Sequence, residues 1–188
     1  MYDLNDKYIS IDGNSTRYRE AGTGPVLVLV HGIAGFLEEW EPAMETLSKH
    51  FRVVALDLLG HGLSDKPEAD YSLDFLTNFL KKFIKTITDS SIYLAGHSLG
   101  GAICLNFAIN FPGMVKRLIL VNSIFVKIPL FIRLASFSFL KNFKLKTSKL
   151  MTKASVKQNF YKKESVSEEW LDKACTLTFP ERPGLCSR

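Results

Sequence analysis

Four short runs of the chain are apolar without alternation: "VLVLV" at 26–30, "FRVVALD" at 51–57, "IYLA" at 92–95 and "VKRLILVN" at 115–122. Such runs suit strands buried on both faces of a sheet. The segments between them have a different period. In "SLDFLTNFLKKFIKTI" the apolar positions 73, 76, 79, 80, 83, 84 and 87 form a helical stripe, and Ser72 stands where an N-cap belongs. "EEWEPAMETLSKH" reads as a helix with acids near its start and Lys49 and His50 at its end. Gly100 to Phe111 reads as a third helix. Upstream, "KYISIDG" and "STRYREAG" alternate apolar and polar residues around Asn14, as in a half-exposed hairpin, and "GTGP" breaks the chain after them.

Buried strands alternating with helices of ten or more residues predict an α/β fold. Its sheet is mostly parallel and covered on both faces. Ligands bind such sheets at the carboxyl ends of the strands, and the chemically suggestive residues all fall there.

The chain of 188 residues suits one compact domain with a sizeable core. Its net charge of +5 is unevenly distributed. Residues 1–123 hold 11 Lys/Arg against 14 Asp/Glu, and residues 124–188 hold 13 against 5. That shift sets the expected boundary: a core over 1–123 and a basic region over 124–188. No apolar run approaches the roughly 20 residues of a membrane helix. "MYDLNDKYIS" has neither the basic start nor the apolar stretch of a signal peptide. Cys104, Cys175 and Cys186 show no paired or metal-binding spacing. The expectation is a soluble cytoplasmic protein with no metal, no cofactor and no nucleic-acid partner.

The third buried run ends in Gly96-His97-Ser98-Leu99-Gly100, with Gly101 following. A serine between a strand and a helix must adopt a strained backbone, and close packing forbids side chains beside it. Gly96 and Gly100 give that room, and the helix start aims free N–H groups at the same spot. A glycine-rich turn with a capping serine is the plain alternative; the strand–turn–helix setting favours Ser98 as a nucleophile. Acyl transfer also needs donors for the developing oxyanion. The Leu99 N–H is one, and the Ile33 N–H in "HGIAGF" is the other, with Gly32 and Gly35 keeping that loop open. His31, at the end of a buried strand, reads as a brace for the loop rather than a base.

With "LDLLGHGLSDKP" at 56–67, the chain resembles the α/β-hydrolase superfamily. HG-x-x-G at 31–35, D-x-x-G-x-G-x-S at 57–64 and G-H-S-x-G-G at 96–101 occur in the family's order and spacing. The resemblance covers residues from about 7 to 123. It points to the esterase, lipase, haloperoxidase-like and carbon–carbon hydrolase branch that uses serine, since relatives acting on epoxides or carbon–halogen bonds carry an aspartate there. The resemblance implies structural roles for Asp57 and supporting roles for His61 and His97. It also implies a catalytic acid and then a histidine after the nucleophile.

The four histidines stand at 31, 50, 61 and 97, and none follows Ser98. Asn122 occupies the position where some relatives carry the acid. The acid and the base are therefore unassigned. The later acids, Glu164, Glu168, Glu169, Asp172 and Glu181, read as solvated faces. The resemblance implies a hydrolase core without its final strands, followed by a helical cap and a C-terminally truncated tail, "TFPERPGLCSR". In the cap, Phe125, Phe131, Phe137 and Phe139 suit either an apolar acyl pocket or helix packing. Lys141, Lys144, Lys146, Lys149 and Lys153 suit a solvated face, with weak contact to an anionic membrane surface as the alternative.

The expected chemistry is serine hydrolysis of an ester, thioester or related acyl bond on a small apolar substrate, impaired in this form. The alternatives are a fragment of a longer enzyme, an enzyme completed by another chain's histidine, and a non-catalytic binding protein or decayed fragment. The sheet edge left exposed offers a route to self-association.

Overall fold

The structure, a computed structural model, describes residues 5–123. The cap, its lysines and aromatics, the later acids, Cys175, Cys186 and the tail lie outside the described residues. So does the basic region expected over 124–188.

Six strands form one sheet: β1 (Lys7–Ile11), β2 (Asn14–Ala21), β3 (Val26–Val30), β4 (Arg52–Leu56), β5 (Ile92–His97) and β6 (Val115–Val121). Their spatial order is β1-β2-β4-β3-β5-β6. β1 pairs antiparallel with β2, and β2 with β4; the remaining pairs are parallel. The hairpin turn is Asp12–Gly13, with Ile11 opposite Asn14 and positive φ at both turn residues (51° and 81°). That is the two-residue turn whose twist matches the strands it joins. Asn14 therefore belongs to β2, and the reversal lies just before the residue around which the sequence pattern centred it.

Helix α1 (Glu41–Leu47) links β3 to β4, α2 (Leu73–Ile87) links β4 to β5, and α3 (Leu99–Asn110) links β5 to β6. The first predicted helix is divided, with a 3-10 turn over Leu37–Trp40 before α1. Pro42 explains the break: it has no N–H to bond back to Glu38, so it is tolerated only in a helix's first turn. Ser72 caps α2 by accepting the Phe75 N–H at 3.1 Å.

Strand alternation sorts the core into two layers. Val28, Val30, Val54, Leu56, Ile92 and Leu94 face α2 and α3, while Leu27, Leu29, Val53, Ala55 and Ala95 face Leu37 and Met44 on the α1 side. β3 and β4 lie at the centre and read as unbroken apolar runs for that reason. β6 departs from the pattern: Leu118 and Leu120 pack on the α2–α3 side, but Ile119 and Val121 are exposed. Among the described residues no helix is long and apolar enough to cross a membrane.

From β3 the chain moves to β4 on one side and then returns to β5 on the other. The strand order thus reverses between β3 and β5. Such a switch point opens a crevice at the carboxyl ends of its two strands.

Candidate active site

The register pairs Val30 with Gly96, so the loop after β3 and the turn after β5 leave the sheet side by side. Ser98 sits between β5 and α3 with φ 50° and ψ −114°, outside the regions a non-glycine residue ordinarily occupies. Such backbone costs on the order of 1–3 kcal/mol and persists only where the surroundings impose it. Here they do. The Ser98 N–H donates to the Val121 carbonyl at 3.1 Å, and its carbonyl accepts the Ala102 N–H at 3.2 Å. A Cβ on Gly96 would lie 2.5 Å from the Gly100 carbonyl carbon and 2.7 Å from Cys104 Sγ, and one on Gly100 would lie 2.8 Å from the Val30 carbonyl carbon. The strand, turn and helix are therefore packed backbone on backbone.

Leu99 is the first residue of α3, and its N–H is among those a helix start leaves unused. Across from it, Gly32 to Gly35 form a turn closed by the Gly35 N–H donating to the Gly32 carbonyl at 3.1 Å. Ala34 holds a positive φ of 55° in this turn, and Ile33 is 55% exposed. The closing bond does not use the Ile33 N–H. Ser98, the Leu99 N–H and the turn bearing Ile33 thus meet at the switch point.

The histidines occupy different environments. His31 is fully buried; its Nδ1 lies 2.7 Å from the Gly32 carbonyl, and its Nε2 accepts the Leu58 N–H at 3.0 Å. Those bonds fix the neutral tautomer with the proton on Nδ1, and burial lowers its pKa. With both nitrogens engaged, His31 has no lone pair left for a substrate proton. His61 packs 5.1 Å from the His31 ring, and burial pushes its pKa down to about 4. His50 is exposed between α1 and β4, at the opposite end of the parallel strands. His97, half-exposed next to Ser98, has Nδ1 3.4 Å from Glu39 Oε2, and that carboxylate raises its pKa.

Below the loop lies a buried ionic cluster that the sequence did not suggest. Arg17 on β2 is 1% exposed and pairs with Glu38 at 2.7 Å, Asp6 at 2.8 Å and Asp57 at 3.2 Å. Asp57 also accepts the N–H groups of Leu37 at 2.7 Å and Leu63 at 2.9 Å. Burial raises the Asp57 pKa against the opposing pull of those donors and of Arg17. Arg19 joins the cluster through Asp6 and Glu41. Arg17 and Arg19, two apart on a strand, read locally as an outward polar face; their partners lie 11 to 40 positions away, beyond the reach of local patterning.

Cys104 is buried beneath Gly96, and burial pushes its thiol pKa up, away from reactivity. Among the described residues no group of three His, Cys, Asp or Glu side chains could hold a metal ion. A cavity of about 370 Å³ lies between the β1–β2 hairpin and α2, lined by Ile11, Leu59, Phe75, Phe79 and Lys82. None of the residues at the switch point lines it.

The family model for the alpha/beta hydrolase fold matches residues 25–161. An uncharacterized protein of Mycobacterium tuberculosis is 39% identical over 117 residues, which cover 62% of this chain and 34% of that protein. An (E)-2-((N-methylformamido)methylene)succinate hydrolase of Acinetobacter baylyi is 36% identical over 120 residues, 63% of this chain and 46% of that enzyme. Among solved structures, the enol-lactonase from Burkholderia xenovorans superposes with a TM-score of 0.60 at 30% identity. The match covers 62% of this chain and 46% of that one. The chain thus spans about a third to a half of the length of the curated relatives it matches.

Proposed function

The chain belongs to the α/β-hydrolase fold family, and from that premise we propose that it carries the nucleophile half of a serine hydrolase acting on ester, thioester or related acyl bonds. The observation that carries the reading is the backbone of Ser98, strained at φ 50° between β5 and α3. A capping serine has no use for that strain, whereas an exposed nucleophile does. The carbonyl carbon of the substrate would be attacked by Ser98 Oγ. Charge developing on its oxygen would be met by the N–H groups of Leu99 and Ile33, and the alkoxide or thiolate would leave an acyl-serine for water to hydrolyse. The enol-lactonase, a structure of 30% identity whose name specifies a cyclic ester, supports the acyl class.

Ser98 must give up its proton for this chemistry. His31 and His61 are held neutral within the fold, His50 is remote, His97 turns its Nδ1 to Glu39, and no histidine follows Ser98 in these 188 residues. These 188 residues by themselves should therefore turn over slowly, because a serine without its base loses orders of magnitude in rate. The alternative reading is a binding protein built on the same core.

The test is p-nitrophenyl butyrate hydrolysis by the full chain beside Ser98→Ala, each with and without added imidazole as a surrogate base. The expected result is a low rate, stimulated by imidazole and absent in Ser98→Ala after subtraction of free-solution hydrolysis. Equal rates from two folded proteins, with no difference in imidazole stimulation, would reject the hydrolase reading in favour of binding.

A further inference from the structure

The turn Gly32–Gly35 has solvent on its outer side, where Ile33 and Ala34 are exposed. Its inner side rests on two side chains. A Cβ on Gly32 would lie 3.1 Å from His97 Nδ1 and 3.2 Å from Ser98 Cβ. A Cβ on Gly35 would collide with Glu39 Oε1 and lie 2.8 Å from Glu39 Cδ. The imidazole and the carboxylate thus fill the space that side chains at 32 and 35 would take. They also meet each other, with His97 Nδ1 3.4 Å from Glu39 Oε2. His97 belongs to β5 beside Ser98, and Glu39 to the 3-10 turn that continues the loop. The pair spans from the turn that carries Ser98 to the 3-10 turn that follows the loop, and so brackets the Gly32–Gly35 turn.

We propose that His97 and Glu39 form a proton-dependent latch that fixes the Gly32–Gly35 turn, and with it the Ile33 N–H, against Ser98. Its consequence for catalysis rests on the hydrolase reading above; the latch itself does not. His97 here is a positioning residue: its Nδ1 is directed at Glu39, and it acts through the turn. The side chains are 37% and 25% exposed, open enough to exchange protons with water. Glu39 is the charged group facing His97 from the loop. From β3 it faces His31, which is buried and neutral, and from β6 its register partner is the uncharged Val121. Protonated His97 and ionised Glu39 attract across the turn, and the attraction ends when His97 loses its proton.

The test uses the 15N-labelled full chain, with the His97 imidazole and the Ile33, Ala34 and Gly35 amides followed by NMR across about pH 5 to 9, the range in which histidine titrates. The expected result is one shared midpoint above the ordinary histidine value. In Glu39→Gln that midpoint should fall toward the ordinary value and the amide titration should vanish. Gly35→Ala should do the same by displacing the Glu39 carboxylate while leaving both members of the pair intact. Turn amides that stay flat while His97 titrates, or a His97 midpoint unmoved in Glu39→Gln, would overturn the latch.

A second arm measures phenylboronic acid, which forms a tetrahedral serine adduct, at neutral pH. Affinity should fall about tenfold in Glu39→Gln and in His97→Gln, less than the 10²–10³ lost with an entire oxyanion donor. Ser98→Ala should not bind. A wild-type chain that binds no boronate would reject the serine reading, and the amide titration would still decide the latch.

Discussion

Replacing Arg17 with methionine keeps most of the side-chain volume and removes the cation. The Arg17 side chain is 2% exposed, and those of Glu38 and Asp57 are fully buried. The variant therefore leaves two carboxylates in the interior without their main counter-charge. Breaking a buried ion pair from one side costs about 3–5 kcal/mol, out of a total stability of roughly 5–15 kcal/mol. Two features place this case at the lower end. Asp57 keeps the N–H groups of Leu37 and Leu63, and Glu38 keeps Arg19 at 3.5 Å. We expect a loss of about 3 kcal/mol at pH 7, read by urea denaturation with tryptophan fluorescence.

The pH dependence separates this mechanism from simple loss of packing. A carboxyl whose folded pKa is raised, as burial raises that of Asp57, holds its proton longer in the native state than in the unfolded chain. Its cost is absent below the ordinary carboxylate pKa and grows as pH rises to the raised value. Without Arg17, Asp57 moves further in that direction. The deficit should thus be full at pH 7 and shrink to less than half at about pH 4.5, within the acid range where carboxylates take up protons. Adding Glu38→Gln to Arg17→Met should recover part of the loss at pH 7, the signature of coupled partners. A deficit under about 1 kcal/mol at pH 7, within the range of a surface pair, would refute the reasoning. So would a deficit of the same size at both pH values.

Two further outcomes follow from the same geometry. The His61 ring should stay neutral in NMR titrations down to a pH of about 4, and because the unfolded chain takes up that proton near 6.5, its contribution to stability is lost as pH falls from 6.5 toward 4; a His61 midpoint near 6.5 in the folded chain would contradict its burial. Gly100→Ala sets a methyl group against the backbone carbonyls of Val30 and His31. It should cost about 1–3 kcal/mol by urea denaturation and reduce fluorophosphonate labelling of Ser98 by about 10²-fold, whereas labelling at the wild-type rate would show that α3 need not pack this closely on β3.

Much of the fold was legible because each central strand is buried on both faces. Val26–Val30 and Arg52–Leu56 announce themselves as unbroken apolar runs, and the helical stripe from Leu73 to Ile87 resolves with its Ser72 cap in place. The turn between β5 and α3 was legible because its glycines are set by local approaches of backbone to backbone. Misreadings arose where one residue overrode a period. Pro42 divided the first helix, and the positive φ of Asp12 moved the hairpin turn. The ionic cluster and the His97–Glu39 pair were illegible for a different reason. Each joins residues tens of positions apart, and nothing in "TRYRE" or "FLEEW" signals that the arginines and a glutamate turn inward.

Several departures from local rules fall together at the strand-order reversal. Ser98 and Ala34 hold positive φ without being glycine, Ile33 is a large apolar residue left exposed, and Arg17, Glu38 and Asp57 are buried charges. Each costs stability if considered alone. Together they form two layers at one switch point. The upper layer holds Ser98, Leu99 and the exposed Ile33; the lower layer is the ionic cluster that holds Leu37 through Asp57 and so anchors the far end of the loop. Hydrophobic packing would fill this space more cheaply, but it is not directional, whereas the cluster and the His97–Glu39 pair act through groups with defined geometry. A core optimised only to fold would discard both layers, since a sequence generally departs from local consistency where a site must be held in place. Their clustering at the strand-order reversal, beside the turn that carries Ser98, is the structural argument for the site proposed there.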